Sequence, residues 1–130
     1  MNGKVEFVLD SSALLALLFG ETGEQFVHSV LYRSAVGAVN YGEVLSKLVQ
    51  KGAEPVDAAR MIRGLKLTVL AFDEQLALEG GDLAHLGWTH GLSFADRACL
   101  TLARHCGVPA VTADLAWRIA DLPVEVHFIR

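Results

Sequence analysis

The stretch "EFVLDSSALLALLFGE", Glu6 to Glu21, decides how the rest of the chain is read. Its first part belongs to "VEFVL" (5–9), a short apolar run of the kind that fills a buried strand. Its second part is a helix that is apolar almost all round, opening on two hydroxyls, Ser11 and Ser12. One carboxylate, Asp10, stands between them. A strand that passes into a helix through a single acid opens a βα unit. The acid then either caps the helix or forms one corner of a site outside the carboxyl end of the strand.

The alternation continues to the other end. "AVGAV" (35–39), "LTVLAF" (67–72), "PAVTA" (109–113) and "VEVHFI" (124–129) are further strand candidates, and helical patterns fall at 12–19, 23–33, 41–51, 55–65, 74–87, 94–105 and 114–120. This order predicts an α/β fold, one sheet with helices on both faces. The helix starts are marked by Thr22 with Gln25, Asn40 with Glu43, and Ser93 with Asp96, all resembling capping pairs, and by Pro55 at a first helical position. Gly52 and Gly107 mark helix ends, and "EGGD" (79–82) is a weak point that splits the helix at 74–87.

With 130 residues the chain fits one domain with one core, residues 1–130. Apolar residues make up 52%, and counting glycine with them brings the share to about 60%, above the roughly 45–50% of ordinary soluble domains. That surplus points to an apolar surface covered by a partner. The longest unbroken apolar run, Ala13–Phe19, is far short of the roughly 20 residues that cross a bilayer. No secretory signal is evident either, so a cytoplasmic location without membrane contact is expected. The two cysteines, Cys99 and Cys106, sit seven apart on one helix, about 10 Å along its axis, too far for a disulfide. The net charge of −4 argues against a general nucleic-acid binder unless cations are clustered. Lys47 and Lys51, followed by Arg60, Arg63 and Lys66, are such a cluster or else a solvated helical face. The five histidines show no metal-ligand spacing, and no zinc site is assigned.

Four acids stand at element junctions: Asp10 after the first strand, Glu43 and Asp96 in first helical turns, and Asp114 after the fourth strand. Each has a plain explanation at a helix N-terminus, where acids are favoured, and Glu43 also has Lys47 four residues on. Four of them at one edge of one sheet repel each other. A fold that gathers them is suited to a hard cation such as magnesium or manganese.

Four pieces, "VLDSSALLAL", "VNYGEV", "HGLSFADRACLTLAR" and "VTADLAW", resemble in order and spacing the PIN-domain family, and within it the VapC-type toxins of bacterial toxin–antitoxin pairs. "AFDEQLALEGGDL" (71–83) is similar to the family's linker into its fifth helix. The resemblance runs nearly end to end. It implies a three-layer PIN-like fold with a central, mostly parallel five-stranded sheet. It also implies a Mg²⁺- or Mn²⁺-dependent endoribonuclease, with Asp10, Glu43, Asp96 and Asp114 holding one or two ions and Thr112 in support. An RNA substrate, a cognate antitoxin and a homodimer are the implied partners. Arg97 departs from the family, which more often has a small residue there; it stands to pair with Asp96 or to reach a phosphate. The competing reading is a non-catalytic PIN-like module that binds RNA or protein. A phosphoryl-transfer enzyme of the haloacid-dehalogenase type ranks lower, because the second acid it needs two residues after Asp10 is Ser12 here. Ser11 and Ser12 lack a neighbouring base in sequence and are poor nucleophiles.

Overall fold

The computed structural model describes residues 4–119 and 121–130. β1 (Phe7–Leu9) leads into α1 (Ser11–Phe19) and α2 (Glu24–Val30), and a 3-10 turn (Leu31–Arg33) reaches β2 (Ser34–Gly37). Then follow α3 (Ala38–Gln50), α4 (Pro55–Arg63) and β3 (Thr68–Leu70). Next come α5 (Glu74–Glu79), a 3-10 segment (Gly80–Leu83), α6 (His85–His90) and α7 (Phe94–Cys106). β4 (Ala110–Thr112), a 3-10 turn (Leu115–Trp117) and β5 (Val126–Phe128) close the chain. The strands fall on the expected apolar runs, with β2 starting one residue earlier.

The sheet order is β3-β2-β1-β4-β5 and every pairing is parallel. Successive strand residues point to opposite faces, and the core divides accordingly. Val8 and Ala110 join Leu76, Leu83, Leu86, Leu100 and Trp117 on the face covered by α5 to α7. Leu9, Val36 and Val111 join Leu14, Val27, Val44 and Ile62 on the face covered by α1 to α4. Each such fully buried Val or Leu contributes roughly 1.5–3 kcal/mol, so β1, buried on both faces, is the centre of the three-layer fold.

From β1 the chain winds outward through β2 and β3, then returns to lay β4 and β5 on the other side. The switch point lies between β1 and β4, and there the carboxyl ends of the strands open a crevice. Helices that connect parallel strands run back against them. The first turns of α1, α3 and α7 therefore meet at this edge with their positive dipole ends.

Several expected helix boundaries move. α3 starts at Ala38 from an extended Gly37, with no side-chain cap, so Asn40 is inside the helix and buried rather than a cap, and Glu43 lies in the second turn. β2 runs directly into α3, which leaves no connecting residues for an Asn40 cap to follow. α2 likewise lacks a Thr22 cap: Gly23, at φ +100°, caps it without a side-chain bond. Ile129 presses on that turn, and a Cβ on Gly23 would lie 2.7 Å from it. The helix expected at 114–120 is the short 3-10 turn Leu115–Trp117. The glycines of "EGGD" do interrupt the helix after α5, and Gly80 is needed because Thr101 of α7 packs on it: a Cβ would fall 2.6 Å from Thr101 Oγ1. Pro55 occupies the first turn of α4, and the Ser93–Asp96 capping box is complete. Cys99 and Cys106 are both free on α7.

The all-round apolar character of α1 is used by the core. Ala13, Leu14 and Ala16 are fully buried, and Leu15, Leu17 and Leu18 are partly covered against the same cluster. Exposed apolar surface includes Phe19 at the end of α1, Tyr32, Leu78 and Trp88, and a patch beside α3 and α4, where Leu45, Val49, Pro55 and Ala59 line an open groove and Val56 and Met61 face outward. Among the described residues no helix is long and apolar enough to cross a membrane.

Candidate metal centre

Asp10 is the centre of the crevice. It is 2% exposed, and its backbone N–H donates to the Val111 carbonyl, tying it to β4. Its Oδ1 accepts from the Ala13 backbone N–H at 2.9 Å and from Ser12 Oγ at 2.7 Å, and its Oδ2 accepts from Thr112 Oγ1 at 2.5 Å. Asp10 is thus a helix cap whose carboxylate is also bonded across to β4. A carboxylate offers about four lone-pair positions. Three are taken here, and the remaining one is on Oδ2. Burial pushes its pKa from 3.8 up to about 6, against the three hydrogen bonds that pull it down, and the Asp96 charge adds to the rise.

The hydroxyls around Asp10 form a chain. Ser12 Oγ lies 3.2 Å from Thr112 Oγ1 and accepts from the Ala113 N–H at 2.8 Å; Thr112 Oγ1 accepts from the Asp114 N–H at 3.0 Å. Thr112 therefore joins the end of β4 to the Asp10 carboxylate. The two serines, poor candidates as nucleophiles, serve as clamps. Ser11 Oγ donates to Glu43 Oε1 across the gap between α1 and α3. Their signal in the sequence was placement, two hydroxyls directly after an acid that ends a strand.

Glu43 reaches Ser11 and makes no ion pair with Lys47 among the described residues. Asp96 is held in its capping box: Ser93 N–H donates to Oδ2 at 2.9 Å and the Asp96 N–H donates to Ser93 Oγ at 3.1 Å. Its Oδ1 is left for other partners. Cys99, one turn further on α7, is fully buried, and burial first, then the charges of Asp10, Asp96 and Glu43, push its thiol pKa well up. Asp114, two residues after Thr112 at the same strand edge, is also a cap. Its Oδ1 accepts from the Ala116 N–H at 2.9 Å and caps the 3-10 turn, so it stands at the rim.

Arg97 does not pair with Asp96. Its guanidinium lies 5.6 Å from the Phe94 ring centre and packs beside Gly87 of α6, because α6 is the surface that α7 presents it to. Of the expected cations, Lys47 and Lys51 lie one and two turns beyond Glu43, about 6 and 12 Å along α3 away from the crevice. Arg60 is paired with Asp57 at 3.4 Å.

Among the described residues no three His, Cys, Asp or Glu side chains are gathered closely enough to grip an ion by themselves. The donor set nevertheless suits Mg²⁺ or Mn²⁺. It consists of hard carboxylate oxygens with a free lone pair on a buried, desolvated Asp10, and such ions are held by one or two carboxylates while keeping much of their water. Soft or imidazole donors are not part of it.

A family model described as the PIN domain matches residues 7–122. No curated protein matches the sequence. Solved structures do match in fold. A DNA-bound VapBC from Salmonella typhimurium is 16% identical, with 97% of this chain and 99% of that chain covered and a TM-score of 0.75. VapBC-1 from nontypeable Haemophilus influenzae is 19% identical over 96% and 98%, with a TM-score of 0.71. A sarcin-ricin loop cleaving toxin from Mycobacterium tuberculosis is 17% identical over 85% and 91%, with a TM-score of 0.68. A parallel sheet with its switch point at Asp10, acids on the helices around it, and a family model spanning nearly every element lead to one conclusion: the chain belongs to the PIN-domain family.

Proposed function

We propose that this protein is a Mg²⁺- or Mn²⁺-dependent endoribonuclease, the toxin of a type II toxin–antitoxin pair, cutting RNA phosphodiester bonds at the crevice between β1 and β4. The observation that carries this is Asp10: a carboxylate buried at the switch point with one lone-pair position left on Oδ2, flanked by Glu43 on α3, bonded to Ser11 beside it, and by Asp96 in the first turn of α7. The neighbours support the toxin reading, since one is described as a sarcin-ricin loop cleaving toxin and others as VapBC. Partner-covered surface is supported by the apolar groove along α3 and α4. A cognate antitoxin, a homodimer and a cytoplasmic location complete the proposal.

In this reading Asp10 is the direct ligand, aimed by Ser12, Ala13 and Thr112. Glu43, steadied by Ser11, and Asp96, steadied by Ser93, face the same space and act directly or through water. Asp114 serves from the rim. The ion, when present, lowers the pKa of nearby water and offsets charge building on the scissile phosphate. The dipole ends of α1, α3 and α7 favour negative charge at this edge, whether carboxylate or phosphate.

The test is cleavage of cellular RNA by the purified chain in EDTA, Mg²⁺ and Mn²⁺, with RNA ends sequenced and Mn²⁺ uptake followed by calorimetry. Specific cuts that need the metal are expected. The non-catalytic alternative draws on the loose spacing of the acids; absence of both cleavage and a specific Mn²⁺ site would establish it. Expression alone should arrest growth, and coexpression with an adjacent small antitoxin should relieve the arrest.

A further inference from the structure

Asn40 is 1% exposed, in the first turn of α3 and one turn before Glu43. Its Nδ2 donates to the Ala95 carbonyl of α7 at 3.2 Å, the residue before Asp96. Its Oδ1 is buried and has no hydrogen-bond partner. The opposite amide orientation would set two carbonyl oxygens against each other, so the bond to Ala95 fixes which atom is left over. That oxygen lies 3.7 Å from where a Cβ of Gly37 would be. In the β1–β2 register Leu9 is level with Val36, which puts Gly37 beside Asp10. The orphan acceptor therefore lies at the carboxyl edge of the sheet, one strand from Asp10, between the helix that carries Glu43 and the helix that carries Asp96.

A buried amide oxygen without a donor forfeits its hydration with nothing in return, and native folds rarely leave one. The acids around this edge are acceptors when ionised and offer it nothing. The fold keeps this orphan for the sake of the bond that the other end of the amide makes to Ala95.

We infer that Asn40 is a positioning residue of the carboxylate centre: its buried amide nitrogen, bonded to the Ala95 carbonyl, locks the first turn of α7, and so Asp96, against α3 and Glu43. This rests on the ribonuclease reading above. It assigns Asn40 no contact with the reacting atoms; its effect passes through Asp96 and Glu43.

The decisive variant is Asn40→Leu, which keeps the volume and removes both polar atoms. The Ala95 carbonyl retains its place in the α7 ladder, and the one hydrogen bond lost is offset by removal of the orphan buried acceptor. Melting in EDTA should therefore match wild type. Calorimetry should show Mn²⁺ binding weakened on the order of tenfold, the worth of one hydrogen bond, and cleavage should lose kcat with the RNA KM unchanged. Asn40→Ser, smaller and still polar, should recover part of the Mn²⁺ affinity, and it carries the same measurement if the leucine variant does not fold. A folded variant that binds Mn²⁺ as tightly as wild type overturns the role of Asn40 and leaves the ribonuclease reading standing. A wild type that takes up no Mn²⁺ overturns both.

Discussion

Substituting Asp10 by Asn separates the charge of the central acid from its shape. Burial raises the Asp10 pKa from 3.8 to about 6, a difference of roughly two units, or about 3 kcal/mol at 1.36 kcal/mol per unit. Between these values the native state holds a proton that the unfolded chain has released. The stability this brings is fully present below about pH 4 and is lost as pH rises through 6. Above that the wild type carries a buried negative charge at a cost of about 3 kcal/mol, offset only by what binds it. The Asp10→Asn variant mimics the neutral acid because all three side-chain hydrogen bonds can survive: the amide oxygen accepts from Ser12 and Ala13, and the amide nitrogen donates to Thr112 Oγ1. Urea denaturation of both proteins from pH 4 to 8 in EDTA is the assay. The stability difference, variant minus wild type, should grow in favour of Asp10→Asn by about 3 kcal/mol across that range. Saturating Mn²⁺ should return stability to the wild type, about 2.7 kcal/mol at a hundred times Kd, and far less to the variant. A difference that is flat with pH would refute the reasoning, because Asp10 would then not be desolvated.

Asp96→Asn should lower cleavage by about a hundredfold or more, the scale of losing a key electrostatic group at a reacting centre, while RNA binding measured in Ca²⁺ stays put; near wild-type turnover would leave Asp96 as a cap alone. Glu43→Gln should match or exceed wild type in metal-free stability, gain less from Mn²⁺ and lose ribonuclease activity, whereas an active variant with a full Mn²⁺ response would remove Glu43 from the centre. Gly23→Ala should cost roughly 1–3 kcal/mol in urea denaturation, because the added Cβ meets Ile129 at 2.7 Å in a turn with φ +100°; a neutral result would mean that the C-terminal segment yields easily there.

By itself the sequence determined the βα alternation, the buried β1, the acids at junctions and the completed Ser93–Asp96 box. These features rest on neighbours a few residues apart: apolar runs, hydroxyl and acid at capping distance, glycine where a helix stops. Tertiary structure alone decided which caps were real. Asn40 with Glu43 has the spacing of a capping box, yet Gly37 ends β2 against Leu102 of α7 and the helix starts at Ala38, so Asn40 is carried inward to Ala95 and Glu43 to Ser11. Asp114 caps the 3-10 turn that follows it, through the bond from the Ala116 N–H to its Oδ1, where the sequence suggests a longer helix. The pull on Asp10 also came from afar, from Thr112, 102 residues away in sequence and one strand away in space. Parallel strands are joined only through long crossovers, so the groups that meet at their carboxyl ends are distant in sequence, and no local pattern records which side chain will face which.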